Sequence, residues 1–541
     1  MTVRTDAVSS PFLEPVVSVV EQVLDVDDVR ATDEFVALGG NSVLALRLLG
    51  RIHQELGVRV PSKAVFTAAS VADLVRHVEA AAADSEQSAP ARPKSRPPAG
   101  ATTGRASLGQ EWALLSSLRD PGAPALQFHV AYHVRGPLEP TLLRKSLQSV
   151  IDRHSALRTR FSVADDAARQ HVDPTATAEL SVEDVSGHPP EHRARHATHL
   201  LRAYVRQPFD RSRAPLTRAL LVRCAENEHL VAFAFDHLIA DGWSLDLFTR
   251  DLSTAYARSR GDATASLTAA ADYAGWAQTQ RAGFDAGRLD EVAAYWRDQL
   301  GPDPEDFALR LPGYRSNDGL HGPAALDLDV AGEVATALAE SSRAMRVSPY
   351  CTGMAALKAL IADLTGRRRV TLLSSCANRL DAEYQQTIGW FANGVFPTTT
   401  VDLTASFRDL VAAVQDTVLG ATAHGDLPAM HVRRRIWPTL PAGFRKEPGV
   451  YFMQNEMWGN ALRLAGAEVA LLPLEEDADS PGLHLWLLQD DAKLRLHVLH
   501  YESEYSREYV GEFAETFLRA LHALTTDPDA RVGDVVRQAR R

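Results

Sequence analysis

Apolar residues near the start of the chain recur at the spacing of amphipathic helices. In three stretches they stand three or four positions apart, so each helix would have one apolar side. These stretches run from Phe12 to Leu24, from Leu44 to Leu56 and from Val71 to Val78. Helices of this kind bury their apolar sides against one another, and the pattern therefore predicts a small helical domain over residues 1–82.

The much longer part that follows alternates strand-like and helix-like patterns. Helical spacing is clearest in residues 142–154 and 509–524. Short runs rich in β-branched and aromatic residues predict strands, and they cover residues 129–136, 216–224, 229–237, 369–377, 395–403 and 493–501. This alternation predicts mixed α/β architecture. Its length favours two lobes, which we place at residues 105–275 and 276–541.

A change in composition separates these two parts. Residues 83–104 are rich in Ala, Ser, Pro, Arg and Gly and show no apolar periodicity. Such a composition is typical of a flexible linker, so we expect the helical domain to move relative to the rest.

Composition and charge then exclude several classes of protein. Of the 541 residues, 45% are hydrophobic and 23% are charged, which excludes wholesale disorder and collagen. The net charge of -12 argues against broad nucleic-acid binding. We expect no membrane partner and a cytoplasmic protein, because no apolar run is long enough to cross a bilayer and the first residues lack a signal-like apolar core. Three widely separated cysteines offer no disulfide framework and no metal-site spacing.

A serine stands at a predicted helix start in residues 33–49, DEFVALGGNSVLALRLL. A serine there most often caps the helix, and Gly39 and Gly40 before Ser42 allow a tight loop. The segment resembles the thiolation (peptidyl carrier) domain of nonribosomal peptide synthetases, a small four-helix unit. The resemblance implies a 4'-phosphopantetheine arm on Ser42. A helix N-terminus suits the phosphodiester of that arm, because free amides and the helix dipole favour an anion.

A histidine follows a strongly apolar strand in residues 229–244, HLVAFAFDHLIADGWS. The period of two places Phe233, Phe235 and His237 on one face and Asp236 on the other. A histidine at a strand end is often structural. Beside an apolar wall, however, a neutral imidazole can accept a proton near pH 7.

The same segment resembles the His-His-x-x-x-Asp-Gly motif of condensation domains in the chloramphenicol acetyltransferase-like superfamily. His237, Asp241 and Gly242 match the motif, whereas Asp236 replaces its first histidine. The resemblance implies that His237 is catalytic and that Asp236 is structural. It also implies an ion pair that shapes the active-site loop between Asp241 and a basic residue, for which we propose Arg379. The Gly242 amide is a candidate donor to an oxyanion.

Further segments resemble condensation-domain motifs in the expected order. They are residues 106–115, 153–161, 271–280, 376–397 and 424–428. The resemblance implies two chloramphenicol acetyltransferase-like lobes arranged in a V. We expect Trp276, Trp296 and Trp390 to pack in the core or between lobes, and we expect Arg153 and its neighbours in RHSALRTRF to tie a helix end to a strand.

Together these features predict a carrier–condensation didomain that forms an amide from a carrier-bound thioester and an acceptor amine. The sequence contains no adenylation-type phosphate loop and no second carrier motif, so we expect an adenylation enzyme and a phosphopantetheinyl transferase to act in trans. The acceptor would be a free amine or would arrive on another carrier protein.

Two alternatives stay open at this point. Asp236 favours a degenerate condensation fold that only recruits a partner, whereas His237, Asp241 and Gly242 favour an enzyme. A histidine base would equally serve an alcohol or water, which gives ester formation or hydrolytic release.

Overall fold

The computed structural model describes most of the chain. The described residues are 10–24, 26–35, 38, 40, 42–58, 60, 64–65, 68–87, 103–119, 126–302, 304–315, 322–379, 381–439, 449–456, 462–474, 482–489 and 493–541. All structural statements below concern these residues.

The described part of the N-terminal domain contains three long helices, as the apolar spacing predicts. They are α1 (Leu13–Leu24), α2 (Ser42–Leu56) and α3 (Val71–Gln87). Residues 64–65 are also helical, and their neighbours lie outside the described residues. The apolar sides of the three helices meet in one core, which includes Val16, Val20, Leu48, Ile52, Leu74 and Val78. Helix α3 continues past position 82, through the first residues of the predicted linker.

The first lobe of the longer part contains a five-stranded sheet and a small three-stranded sheet. Its strands are β1 (Thr103–Arg105), β2 (Gln127–Arg135), β3 (Thr159–Ala164), β4 (Ala167–Val172), β5 (Leu180–Asp184), β6 (Thr217–Ala225) and β7 (Glu228–Asp236). Strands β1, β3 and β4 form the small sheet, and the other four lie in the five-stranded sheet, whose fifth strand, Glu468–Leu471, comes from the second lobe. Its helices are α4 (Leu108–Arg119), α5 (Pro140–Arg153), α6 (Pro190–Val205), α7 (Gly242–Ser259) and α8 (Tyr273–Asp285). Helix α8 crosses position 275, so the boundary between the lobes stays a prediction.

Strand β7 lies inside the five-stranded sheet, with β2 and β6 antiparallel on either side. One face of the sheet contributes Phe233 and Phe235 to a core that also contains residues of α5 and α7. The other face contributes Ala232 and Ala234 to a core with residues of α6. The two-residue alternation predicted for this strand is therefore confirmed.

The second lobe contains a four-stranded sheet and two short strand pairs. Its strands are β8 (Pro323–Asp329), β9 (Arg369–Thr371), β10 (Ser374–Cys376), β11 (Asn393–Val395), β12 (Thr398–Thr400), β13 (Val450–Glu456), β14 (Glu468–Leu471), β15 (Leu483–Gln489) and β16 (Leu494–Tyr501). Its helices are α9 (Arg288–Leu300), α10 (Pro304–Phe307), α11 (Gly332–Met345), α12 (Pro349–Thr365), α13 (Phe407–Ala423), α14 (Ala429–Ile436), α15 (Arg507–Thr526) and α16 (Val532–Ala539).

The sheet order in the second lobe is β13-β15-β16-β8. Its core combines these strands with the apolar sides of α12, α13 and α15. Strand β14 instead leaves the second lobe and pairs with β2, so that Leu471 lies opposite Tyr132. The two lobes therefore share the five-stranded sheet, and the mixed α/β architecture predicted from the sequence is confirmed.

The N-terminal domain contacts the second lobe. The carboxylate of Glu34 lies 3.0 Å from the guanidinium of Arg346, and Leu419 of α13 packs against the helical core. Helix α2 also lies close to the short 3₁₀ turn at residues 382–384. None of the described helices is long and apolar enough to cross a membrane.

Candidate active site

His237 directly follows the last residue of strand β7. Its backbone amide donates to the carbonyl of Leu126, 2.8 Å away, so the strand-like pairing with the neighbouring chain segment continues one residue past the strand. The nine residues of β7 are apolar or small except at the ends, and the strand is almost entirely buried. A buried strand in the middle of a sheet holds the backbone of His237 rigidly.

Two aromatic rings pack against the imidazole of His237. Phe128 meets it edge-on with ring centroids 5.2 Å apart, and Trp390 lies at 5.0 Å. Phe128 also stacks on Phe235 at 5.6 Å. The Nδ1 atom is buried and has no hydrogen-bond partner among the described residues. Because the whole side chain is only half-buried, its accessible part lies away from Nδ1.

Asp241 is buried and organises the loop after His237. It caps α7, and its Oδ1 accepts from the backbone amide of Ser244 at 2.9 Å. Its Oδ2 accepts from the amides of Phe391 and Ala392, each at 3.0 Å. Burial alone would raise the pKa of this carboxyl, but Arg379 and these hydrogen bonds outweigh burial and hold the pKa below its usual range.

Arg379 lies 2.9 Å from Asp241 and is 2% exposed. One guanidinium nitrogen donates to the carbonyls of Tyr384 and Thr387, and the planar group lies 4.0 Å from the ring centroid of Phe391. The residue is thus held by charge, by hydrogen bonds and by stacking. The pair fastens the start of α7 to the second-lobe segment that also carries Trp390.

Gly242 is the first residue of α7, an 18-residue helix. Amides in the first turn of a helix lack intrahelical partners and carry the positive end of the helix dipole. The next residue, Trp243, donates its indole N–H to the carbonyl of Gln385 at 3.1 Å. The helix start therefore lies between the lobes, close in sequence to His237.

Asp236 faces away from His237. Its carboxylate lies 2.8 Å from Nε of Arg211 and is 2% exposed. The sequence offered no sign of this partner, because Arg211 lies in a segment without a recognised motif. Gln110 of α4 also supports this strand end, since its side-chain amide donates to the carbonyl of Leu238 at 2.7 Å.

The RHSALRTRF segment supports helix α7 from behind. His154 Nε2 lies 2.8 Å from Asp251 in α7, and Arg153 also pairs with that carboxylate. The amide of Ile388 donates to His154 Nδ1 at 3.3 Å. Burial lowers the pKa of His154 despite the carboxylate, so the ring stays neutral and donates from Nε2. Arg153 and His154 therefore tie the end of α5 to another helix, α7, whereas we expected them to tie it to a strand.

The three tryptophans take different positions. Trp296 is buried in a core of the second lobe, and its indole N–H donates to the carbonyl of His424 at 3.0 Å. Trp276 packs on Tyr273 and Phe391. Trp390 packs between the lobes as expected, but it also contacts His237, a role that the sequence did not indicate.

Ser42 is the first residue of α2. Before it, the amide of Gly40 donates to the carbonyl of Phe35 at 2.9 Å. A Cβ atom on Gly40 would lie 2.3 Å from the Phe35 ring, so this tight loop requires a glycine. Gly39, Asn41 and the side chain of Ser42 lie outside the described residues.

Comparison with protein families assigns both parts of the chain. The condensation-domain family matches residues 107–539, and the phosphopantetheine attachment site family matches residues 14–78. The second match contains Ser42, and the first contains His237, Asp241 and Arg379.

Curated relatives are synthetases of peptide natural products. One of the linear gramicidin synthase proteins of Brevibacillus parabrevis is 31% identical over 520 residues, which cover 95% of this chain. A probable non-canonical nonribosomal peptide synthetase from Salinispora arenicola is 30% identical over 526 residues, again 95% of this chain. The chain spans only 10% and 6% of the lengths of these two proteins.

Solved structures show the same fold. The first condensation domain of the calcium-dependent antibiotic synthetase, in complex with a substrate analogue, has a TM-score of 0.67 and 21% identity, with coverage of 80% of this chain and 98% of that one. The X-domain from teicoplanin biosynthesis has a TM-score of 0.67 and 24% identity, with coverage of 82% and 98%. The chain therefore belongs to the condensation-domain family and carries a phosphopantetheine attachment domain ahead of it, in the arrangement of nonribosomal peptide synthetases.

Proposed function

We propose that this chain joins an acyl group, held as a thioester on its own carrier domain, to an amine supplied by another molecule. The observation that carries this proposal is the setting of His237: a half-buried imidazole on a rigid strand end, packed by Phe128 and Trp390. An imidazole held in this way, with part of its ring accessible, can serve as a general base.

Ser42 is the residue that would hold 4'-phosphopantetheine. The structure fits this group, since Ser42 begins a 15-residue helix, and the positive end of the helix dipole at such an N-terminus favours a phosphodiester. The tight glycine loop before it brings the serine to the helix start without a bulky side chain at Gly40. When bound, the group supplies a thiol that carries the acyl donor as a thioester.

His237 would act on the acceptor amine. The amine nitrogen would attack the carbonyl carbon of the acyl group, so that a carbon–nitrogen bond replaces the carbon–sulfur bond. His237 would take the proton lost by the amine and return it to the departing thiol, so the imidazole would be regenerated. The amide of Gly242 at the start of α7 would stabilise the negative charge that develops on the carbonyl oxygen.

Asp241, Arg379 and Asp236 would hold the active-site loop in place and would take no part in the chemical step. The Asp241 carboxylate already accepts hydrogen bonds from Arg379, Ser244, Phe391 and Ala392, so it is unsuited to take a proton from substrate. Its low pKa keeps it charged at neutral pH. The Asp241–Arg379 pair thus keeps the loop and the start of α7 in place.

The partners in this proposal are other synthetase components. An adenylation enzyme would supply the activated acyl group, and a phosphopantetheinyl transferase would modify Ser42. The acceptor would be a free amine or an aminoacyl group on another carrier protein. Similarity to a linear gramicidin synthase protein supports partners of this kind.

A recruiting role is the second candidate, because a teicoplanin X-domain of the same fold was solved in complex with OxyB. The retained His237 and the intact Asp241–Arg379 pair favour an enzyme, since recruitment alone does not need an imidazole. Ester formation and hydrolysis would use the same base.

Product analysis separates these functions. The full chain would be loaded by a broad-specificity transferase and an aminoacyl coenzyme A, then chased with an amine, an aminoacyl carrier, an alcohol or buffer alone, and Ser42→Ala would serve as the loading control. We expect faster discharge only with amines, and an amide as the product. Ester or free acid as the main product would reassign the reaction, and discharge at the same rate in every chase would contradict catalysis.

A further inference from the structure

The buried carboxylate of Asp236 forms an ion pair with the partly buried guanidinium of Arg211, on the opposite side of the strand end from His237. We propose that this pair positions His237, and that the carboxylate works in the motif's first position only together with Arg211. The inference rests on the proposed function of His237. Arg211 is then a positioning residue, and its ion pair with Asp236 compensates for the histidine that the motif has at position 236.

The two carboxylate oxygens of Asp236 have different partners. Oδ2 accepts from Nε of Arg211 at 2.8 Å, and Oδ1 accepts from the backbone amide of Leu238 at 2.9 Å. Leu238 directly follows His237, so the side chain before the histidine holds the backbone after it. This arrangement fixes the direction in which His237 leaves the strand.

Arg211 is itself held in place. Its NH1 group donates to the hydroxyl of Ser117 at 2.9 Å, and that hydroxyl donates to the carbonyl of Ala113 in α4. The backbone carbonyl of Arg211 accepts from the amide of Phe161 in β3 at 2.8 Å. The pair therefore joins α4, β3 and β7 at one point.

The backbone around His237 has further support that leaves little freedom. The amide of Asp236 donates to the carbonyl of Leu216 at 3.0 Å, and the amide of His237 donates to that of Leu126 at 2.8 Å. The side chain of Gln110 donates to the carbonyl of Leu238 at 2.7 Å. The amide of Leu238, by contrast, is held by the Asp236 carboxylate. Loss of that carboxylate would release the backbone directly after His237, and the imidazole would move relative to the aromatic rings around it.

A histidine cannot replace this carboxylate. A neutral imidazole has one acceptor nitrogen, whereas Asp236 accepts from two donors, Arg211 and Leu238. A protonated imidazole has no acceptor and would repel the Arg211 guanidinium. We therefore expect Asp236→His to impair the enzyme, although histidine is the residue that the family motif has in this position.

Kinetics of the loaded full chain test the pair. Asp236→His should lower kcat for amide formation about tenfold or more, with the KM for acceptor changed about twofold or less, because positioning affects the chemical step. Adding Arg211→Leu to Asp236→His removes the unpaired guanidinium and should raise kcat again, by about threefold or more. Arg213→Ala, an exposed neighbour, is the matched control and should match the wild type.

Conservative change gives a second comparison. Arg211→Lys keeps the positive charge and should retain more of kcat than Arg211→Leu does. Wild-type kcat in Asp236→His would overturn the proposal, as would equal kcat in Arg211→Lys and Arg211→Leu. Thermal unfolding and Ser42 loading of each variant check that the chain is folded.

Chemical reactivity of His237 gives a readout that does not require turnover. The rate of carbethoxylation of His237 by diethylpyrocarbonate, followed by peptide mass spectrometry, should change in Asp236→His and Arg211→Leu but not in Arg213→Ala. Unchanged reactivity in both variants would overturn the proposal that the Asp236–Arg211 pair positions His237. Absence of amide formation by the wild type would instead count against the proposed function, and this measurement would still decide the role of Arg211.

Discussion

The carboxylate of Asp241 lies 2.9 Å from the guanidinium of Arg379, and both side chains are almost completely buried. The pair joins the N-terminus of the helix after His237 to the segment that carries Trp390. A contact of this kind makes the position of the loop after His237 depend on both lobes. Its removal should therefore affect stability and activity together.

Breaking this pair should be costly. Asp241→Asn leaves Arg379 as an unpaired buried charge, an effect that typically costs about 3–5 kcal/mol. We expect a large fall in the unfolding temperature and in the rate of amide formation, measured by calorimetry and by single-turnover assay. The exposed pair Arg408–Asp529 provides the control, since Asp529→Asn should change neither quantity appreciably. Equal effects of the two variants would contradict the structural role given to Asp241.

Trp390 should matter through its contact with His237. Trp390→Ala removes the ring that packs at 5.0 Å from the imidazole, so the histidine gains freedom and kcat should fall about tenfold. Trp390→Phe retains an aromatic ring and should retain more of the rate. Steady-state kinetics with a fixed acceptor would show the order wild type, Phe, Ala. If Trp390→Ala is as fast as Trp390→Phe, the contact between the aromatic ring and His237 does not contribute to the rate.

Lys358 predicts a pH-dependent stability. It is fully buried, and its Nζ lies 2.9 Å from the carbonyl of Pro397 and 2.8 Å from the hydroxyl of Thr399. Burial lowers its pKa from the ordinary 10.5 to about 7. At pH values between these two pKa values, Lys358 is protonated in the unfolded chain but not in the folded chain. The free energy of unfolding therefore rises with pH in this range, by at most about 1.4 kcal/mol per pH unit from this group.

Lys358→Met tests that statement. Relative to the wild type, the variant should gain most stability near pH 7 and progressively less toward pH 10. Unfolding temperatures of both proteins across this range give the difference directly, and other titrating groups cancel because both proteins contain them. A constant difference across the range would mean that Lys358 does not change its protonation between the folded and unfolded chain.

The contact between Glu34 and Arg346 should assist discharge of the carrier. Both side chains are partly exposed, so the pair is weak and sensitive to salt. Arg346→Glu should slow the single-turnover reaction about two- to fivefold at low salt, and Glu34→Arg added to it should restore the rate. Arg343→Glu, in the last turn of the helix that ends just before Arg346, is exposed and is the control. Lack of restoration in the double variant would contradict a direct contact during the reaction.

The sequence predicted those parts of the fold that depend on residues close to one another in the chain. The helical spacing indicated the three helices of the carrier domain, and the period of two indicated the alternation of Phe235 and Ala234 in β7. The motif resemblance led to Arg379 as the partner proposed for Asp241, and the structure places them in contact.

Long-range pairing was not predictable in the same way. Phe128 contacts His237 because β2 pairs with β7 in the register that places Phe128 opposite Phe235. Neither that register nor the crossing of β14 into the first-lobe sheet has a local signature. Arg211 was missed for the same reason, since an ion pair between distant residues depends on how the chain folds back.

The most direct test of the account is the single-turnover rate of amide formation by the wild type and by His237→Ala. Both proteins would be loaded on Ser42 to the same extent, as measured by intact mass, and mixed with a saturating amine acceptor. Loss of a general base typically slows the reaction about 10²–10⁴-fold, so His237→Ala should keep its acyl group while the wild type forms the amide. If His237→Ala forms the amide at the wild-type rate, His237 is not the catalytic base and the proposed mechanism is wrong.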